Sequence, residues 1–170
     1  MKAIVLFAAM FAILGTAIGA PPEPAAKPDI RISVKATSEG TDHGKKGARV
    51  ASRRLQIHLE NREHRELTDL QLEWKIIGED INSKQNKVDA SGKQSLKLAA
   101  DEVLDVESGV AQFSEQEGGV KKVGKGKNQR KVPLPDKGRS YAGYVVEIKQ
   151  HGKVVAEAST LGIRKQTKGL

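Results

Sequence analysis

Leu70-Gln71-Leu72-Glu73-Trp74-Lys75-Ile76 is the stretch on which the reading of the fold turns. Apolar residues occupy every second position and polar residues fill the gaps. Successive side chains of a strand point to opposite faces, so this period of two describes a half-buried strand with Trp74 central on its buried face. The same alternation recurs upstream in Leu55, Ile57 and Leu59, and again in Ile30, Ile32, Val34 and Ala36. Asn61 to Glu66 forms a charged turn between two of these strands, and Ser38 to Gly47 is expected as a polar, glycine-bearing loop. Val50 is out of phase with Leu55, so a strand that begins early needs a bulge near Ser52–Arg54.

Downstream the segments shorten. Leu96 and Leu98 follow an expected Ser91-Gly92 turn, Leu104 and Val106 follow Ala99 to Glu102, and Val110, Ala111 and Phe113 follow Ser108-Gly109. Short strands between turn signals are the all-β pattern. A helix over Ser95 to Val106 is the competing reading, because Ala, Leu, Lys and Glu favour it. In the last third, Tyr144, Val146 and Ile148 share one face, as do Val154, Ala156 and Ala158. A two-residue His151-Gly152 loop sets Val146 opposite Glu157. A three-residue Gln150-His151-Gly152 loop pairs Ile148 with Val154 and Val146 with Ala156, and is the expected turn.

About seven short strands with turns at roughly ten-residue intervals describe an all-β, antiparallel β-sandwich over residues 29–165. With Trp74 on an early strand and Tyr141 and Tyr144 on a late one, the chain resembles immunoglobulin-like and fibronectin-III-like domains of small exported bacterial proteins without assigned activity. The resemblance implies that Trp74 packs across to the strand at Tyr141–Lys149, and that Tyr141 or Tyr144 acts as a corner tyrosine. The cysteine pair of antibody domains is absent. A shared fold supplies no function.

The N-terminus reads as an export signal. Lys2 precedes an uncharged run from Ala3 to Ala20 that ends in small residues, which is the pattern of a secretory leader. Pro21 in the first mature position hinders an extended substrate, so cleavage is expected after Gly19. That gives a leader over residues 1–19, a proline-rich spacer over 20–28 and a tail over 166–170. The mature protein is expected to be soluble, in the periplasm or outside the cell. With no cysteine anywhere, it has no disulfide, thiolate metal site, redox motif or lipid anchor at the cleavage site.

No enzyme emerges from the motifs. The four histidines, His43, His58, His64 and His151, have no spacing that brings two imidazoles to one ion. No serine lies in a GxSxG elbow and no glycine run opens a phosphate-binding helix. Asp105 and Glu107 share a face if they lie on a strand, yet calcium loops carry more oxygen ligands at closer spacing. The sequence points to no catalytic residue, no metal and no cofactor.

The strongest local bias is Lys121 to Lys131, KKVGKGKNQRK. Lys121, Lys122, Lys125, Lys127, Arg130 and Lys131 give six positive charges, with no acid between Gly118 and Pro135. Residues 118–135 are expected as a mobile basic loop. Without Lys2 the chain holds 28 basic against 21 acidic residues, a balance that favours anionic partners. Beyond the leader only Trp74, Phe113, Tyr141 and Tyr144 are aromatic, too few for the stacking platforms of single-strand nucleic-acid recognition. Two expectations follow. One is a non-catalytic exported module acting through protein–protein contact, with an edge strand accepting a partner's strand. The other is an electrostatic binder of an anionic polymer or of lipid headgroups through residues 121–131.

Overall fold

A computed structural model describes residues 27–43, 48–124, 129–160 and 162–163. The expected leader, most of the spacer and the tail lie outside these residues. Ten strands follow in order: β1 (Ile30–His43), β2 (Ala48–Asn61), β3 (Leu67–Asp80), β4 (Asn86–Leu98), β5 (Val103–Glu107), β6 (Ala111–Gln116), β7 (Val120–Val123), β8 (Arg130–Pro133), β9 (Lys137–Gln150) and β10 (Lys153–Ser159). All pairings are antiparallel.

The strands form two layers. In the first, β2 pairs with β1 on one side and with β5 and β6 in succession on the other. In the second, the order is β4-β3-β9-β10. The start of β9 joins them, pairing with β6 at Glu115↔Gly138 and Gln116↔Lys137 before running along β3. The period-two residues fill the space between the layers: Leu55, Ile57, Leu59, Ala111 and Phe113 from the first, and Leu70, Leu72, Ile76, Val146 and Ile148 from the second. Each such aliphatic side chain contributes about 1.5–3 kcal/mol on burial. The all-β sandwich read from the sequence is therefore present.

Ten strands replace the expected seven for two reasons. The strand beside β2 is broken at Ser108, whose N–H donates to Leu55 O at 2.9 Å and whose Oγ accepts from Leu55 N at 2.8 Å, so one ladder becomes β5 and β6. The segment 118–135, expected as a mobile loop, contains the paired strands β7 and β8.

Four local expectations are corrected. Residues 38–43 are not loop, because β1 continues to His43. The register shift near its end falls at Gly40 on β1, so β2 needs no bulge at Ser52–Arg54. Arg53 instead keeps the phase of Leu55 and lies over the Tyr141 ring, 5.7 Å from its centroid. Ser91-Gly92 is not a turn but lies inside β4, where Gly92 pairs with Trp74. The last hairpin uses the two-residue loop: His151 (φ 49°) and Gly152 (φ 77°) are both left-handed, and Lys153 pairs with Gln150. A bulge at Val155 then shifts the register so that Ala158, not Glu157, faces Val146.

Trp74 does not pack across onto β9, which is its neighbour in the same sheet through Val146. Its ring fills the space above Gly92, and its far end reaches the chain break at Gly109 in the opposite layer, 3.2 Å from where a Cβ would stand. Neither tyrosine makes a corner. Tyr144 Oη donates to Val34 O on β1 at 3.5 Å, and Tyr141 meets Phe113 edge-on at 5.8 Å.

Candidate functional site

The hairpin β7–β8 extends the β6–β9 pairing away from the sandwich. At its root, Gly118 N–H donates to Asp136 Oδ1 at 2.6 Å and Leu134 N–H donates to Gly119 O at 2.8 Å. Gly138 has φ 119° and lies so close to the Ser114 carbonyl that no side chain fits. Glycine there lets the two backbones close into a narrow ribbon. Beyond the root, every residue of β7 and β8 is exposed, and neither strand packs substantially on any other element. The pair is an arm, with solvent on both faces.

Register assigns the faces. Val120 pairs with Pro133, Lys121 with Val132, Lys122 with Lys131, and Val123 with Arg130. One face therefore carries Val120, Lys122, Lys131 and Pro133, and the other Lys121, Val123, Arg130 and Val132. Of the six predicted basic residues, Lys121, Lys122, Arg130 and Lys131 are brought together on the arm, two per face. Lys125 and Lys127 lie outside the described residues. Lys122 directly opposite Lys131 is a like-charge pair that weakens the ladder.

Two further features sharpen this arrangement. Of the chain's net charge of +8, the segment 118–135 holds +6 and Lys2 one, leaving +1 for everything else. Val120 (62% exposed), Val123 (39%), Val132 (37%) and Leu134 (45%) are also four of the seven exposed large apolar residues among those described. The sequence reading missed these apolar residues, although their signal was present in the spacing Val120-Lys121-Lys122-Val123.

Other basic residues do not extend the patch. Arg53 stays between the layers, in a small cleft with Arg49, Ala51, Phe113, Glu115 and Tyr141. Arg54 points to the opposite face of β2, where Glu39 (3.0 Å) and Glu107 (2.6 Å) neutralise it. Lys45, Lys46, Arg164, Lys165 and Lys168 lie outside the described residues.

Several other titratable groups among the described residues are engaged in pairs. Asp105 Oδ1 meets His58 Nδ1 at 2.8 Å, and Glu107 holds the Arg54 guanidinium at 2.6 Å, so each of these two carboxylates has its own partner across the sheet. Asp101 hydrogen-bonds His64 at 3.0 Å and holds its imidazole above the ordinary range. On the outer face of the second layer, Lys149 (2.5 Å) and Lys93 (3.2 Å) flank Glu73; the Lys149 hydrogen bond lowers the Glu73 carboxyl and raises the Lys149 amine. Arg139 reaches from β9 to Asp89 on β4, also donating to Gly78 O and Lys87 O at 3.1 Å. Burial pushes the Asp89 carboxyl up despite that partner. Burial likewise raises the Tyr141 phenol.

No protein-family model and no curated protein matches the chain.

Among solved structures, the chain is similar to a Northeast Structural Genomics Consortium target, SoR45. The identity is 12% and the TM-score 0.36, with 79% of this chain and 89% of that one covered. It is also similar to a protein from Akkermansia muciniphila at 14% identity and a TM-score of 0.32, covering 82% and 74%. No helix among the described residues is long and apolar enough to cross a membrane.

Proposed function

We propose that this protein is an exported, non-catalytic module with an immunoglobulin-like frame, and that it works by setting the β7–β8 arm against an anionic partner surface. The observation that carries this reading is the concentration of nearly all the chain's net charge in the segment 118–135, whose strands β7 and β8 are exposed along their whole length. Long-range attraction scales with such local excess, and an arm on a near-neutral body orients the molecule as it approaches.

The immunoglobulin-like part of the proposal is supported by strand order. β10-β9-β3-β4 follows the G-F-C-C′ sheet of variable-type domains, β1-β2 followed by β5–β6 follows A-B-E, and Trp74 sits on the C strand. Export is supported by Lys2 and the uncharged run to Ala20.

Strand addition at an edge is the weaker route to a partner. β4 pairs only with β3, but its free side carries the bulge at Asp89 and the lysines 87, 93 and 97, the devices by which edges resist a further strand. Replacing Lys121, Lys122, Lys125, Lys127, Arg130 and Lys131 by Gln should abolish salt-sensitive retention on immobilised heparin. Unchanged retention would remove the arm from the mechanism. N-terminal sequencing of the protein recovered outside the cytoplasm should begin at Ala20.

A further inference from the structure

We infer that the anionic surface is a lipid bilayer, and that the arm enters its headgroup layer edge-on. This inference rests on the reading of the arm as the contact element. A flat polyanion needs one cationic face and gains little from exposed valines, and an acidic protein face covers one side of a ribbon rather than both. The arm has two faces, each with two cations, with Val120 and Pro133 on one and Val123 and Val132 on the other. Such an element is matched to a medium that surrounds it on both sides and offers phosphates at one depth and acyl carbon just below. Lys and Arg extend their charged ends to the phosphates while their stems and the valines take the apolar level.

The dimensions agree. Two paired strands lie about 5 Å apart, so a ribbon set on its edge matches the roughly 5–10 Å to which interfacial segments penetrate. Depth is bounded by the backbone. A two-stranded ribbon leaves unpaired N–H and C=O groups along both edges, which rules out the hydrocarbon core but not the hydrated headgroup region. The arm therefore docks the module at the interface and does not span.

The test uses the purified protein with phosphatidylglycerol–phosphatidylcholine vesicles, pure phosphatidylcholine vesicles and immobilised heparin. The variant Val123→Thr/Val132→Thr keeps every charge and the strand preference while making the two side chains polar. It should lower affinity for the anionic vesicles about tenfold, since each buried methyl matters at this scale, and leave heparin retention unchanged. Lys121→Gln/Lys122→Gln/Arg130→Gln/Lys131→Gln should lower vesicle affinity by about a thousandfold, following the gain per basic residue near an anionic leaflet. Equal vesicle binding by wild type and the threonine variant, or heparin retention with no vesicle binding, overturns the bilayer inference and leaves the arm as a polyanion binder. If the four-Gln variant binds both vesicles and heparin like wild type, the arm reading itself fails.

Discussion

The indole of Trp74 occupies the space where a side chain at its cross-strand partner, Gly92, would stand. The same ring reaches Gly109 in the opposite layer, so one side chain on β3 fills the gap between β4 and the break separating β5 from β6. Gly92→Ala forces the ring to move and should cost about 1–3 kcal/mol, the usual price of overpacking. As the only tryptophan, Trp74 reports the change directly. Urea unfolding followed by its fluorescence should show a lower midpoint at unchanged slope.

The Asp89–Arg139 pair should respond unequally to loss of its members. Burial raises the Asp89 carboxyl, so the folded state holds its proton more tightly than the unfolded chain. Its contribution to stability is therefore greatest below the ordinary aspartate range and falls away as pH rises through the raised value. Asp89→Asn should cost under about 1 kcal/mol at neutral pH, because Arg139 keeps its bonds to Gly78 O and Lys87 O. Arg139→Met leaves a buried carboxylate without its cation and should cost about 3 kcal/mol. Denaturation of both variants at neutral and mildly acidic pH checks the order.

Glu73 has the opposite sign. The Lys149 hydrogen bond lowers its carboxyl, so stabilisation is complete above the ordinary glutamate range and is lost as pH falls through the lowered value. Glu73→Gln should lower stability at neutral pH by about 0.5–1 kcal/mol, a modest figure for a pair at the surface. The variant should also lose less stability than wild type on acidification below pH ~4. A parallel acid titration of the two proteins would sink the assignment.

The β9–β10 turn places His151 at φ 49° without the side chain best suited to it. His151→Asn should raise stability by about 0.5 kcal/mol, since Asn-Gly is the favoured pair for two left-handed positions. Gly152→Ala, at φ 77°, should lower it by about 1 kcal/mol. Thermal melts of the two variants should move in opposite directions.

What was legible in the sequence was the part governed by alternation. Leu55 to Leu59 and Leu70 to Ile76 sit where their period of two puts them, because one face of each strand is buried and the other is not. What was not legible depended on partners distant in sequence. Gly92 reads as a turn until Trp74 is set opposite it. Val50 reads as the start of a shifted register until Arg53, in phase with Leu55, is set over the Tyr141 ring. In the last hairpin, the choice of turn hid a bulge: Val155 and Ala156 are both buried, which the strict alternation of a half-buried strand does not give, so alternation alone selected the wrong loop. The basic segment was recognised by charge, but its strands were obscured by glycine, proline and the repulsion between Lys122 and Lys131, and only the pairing register distributes its cations over two faces.

The joint between the layers lies at the root of the arm, where Glu115 and Gln116 of β6 meet Gly138 and Lys137 of β9. β6 is held by β2, and β9 by β3 and β10. A pull on β7 and β8 is therefore delivered into both sheets at once, and its load falls on ladders stressed along their length. The root of the arm is thus tied to both sheets, where a load on it would be shared.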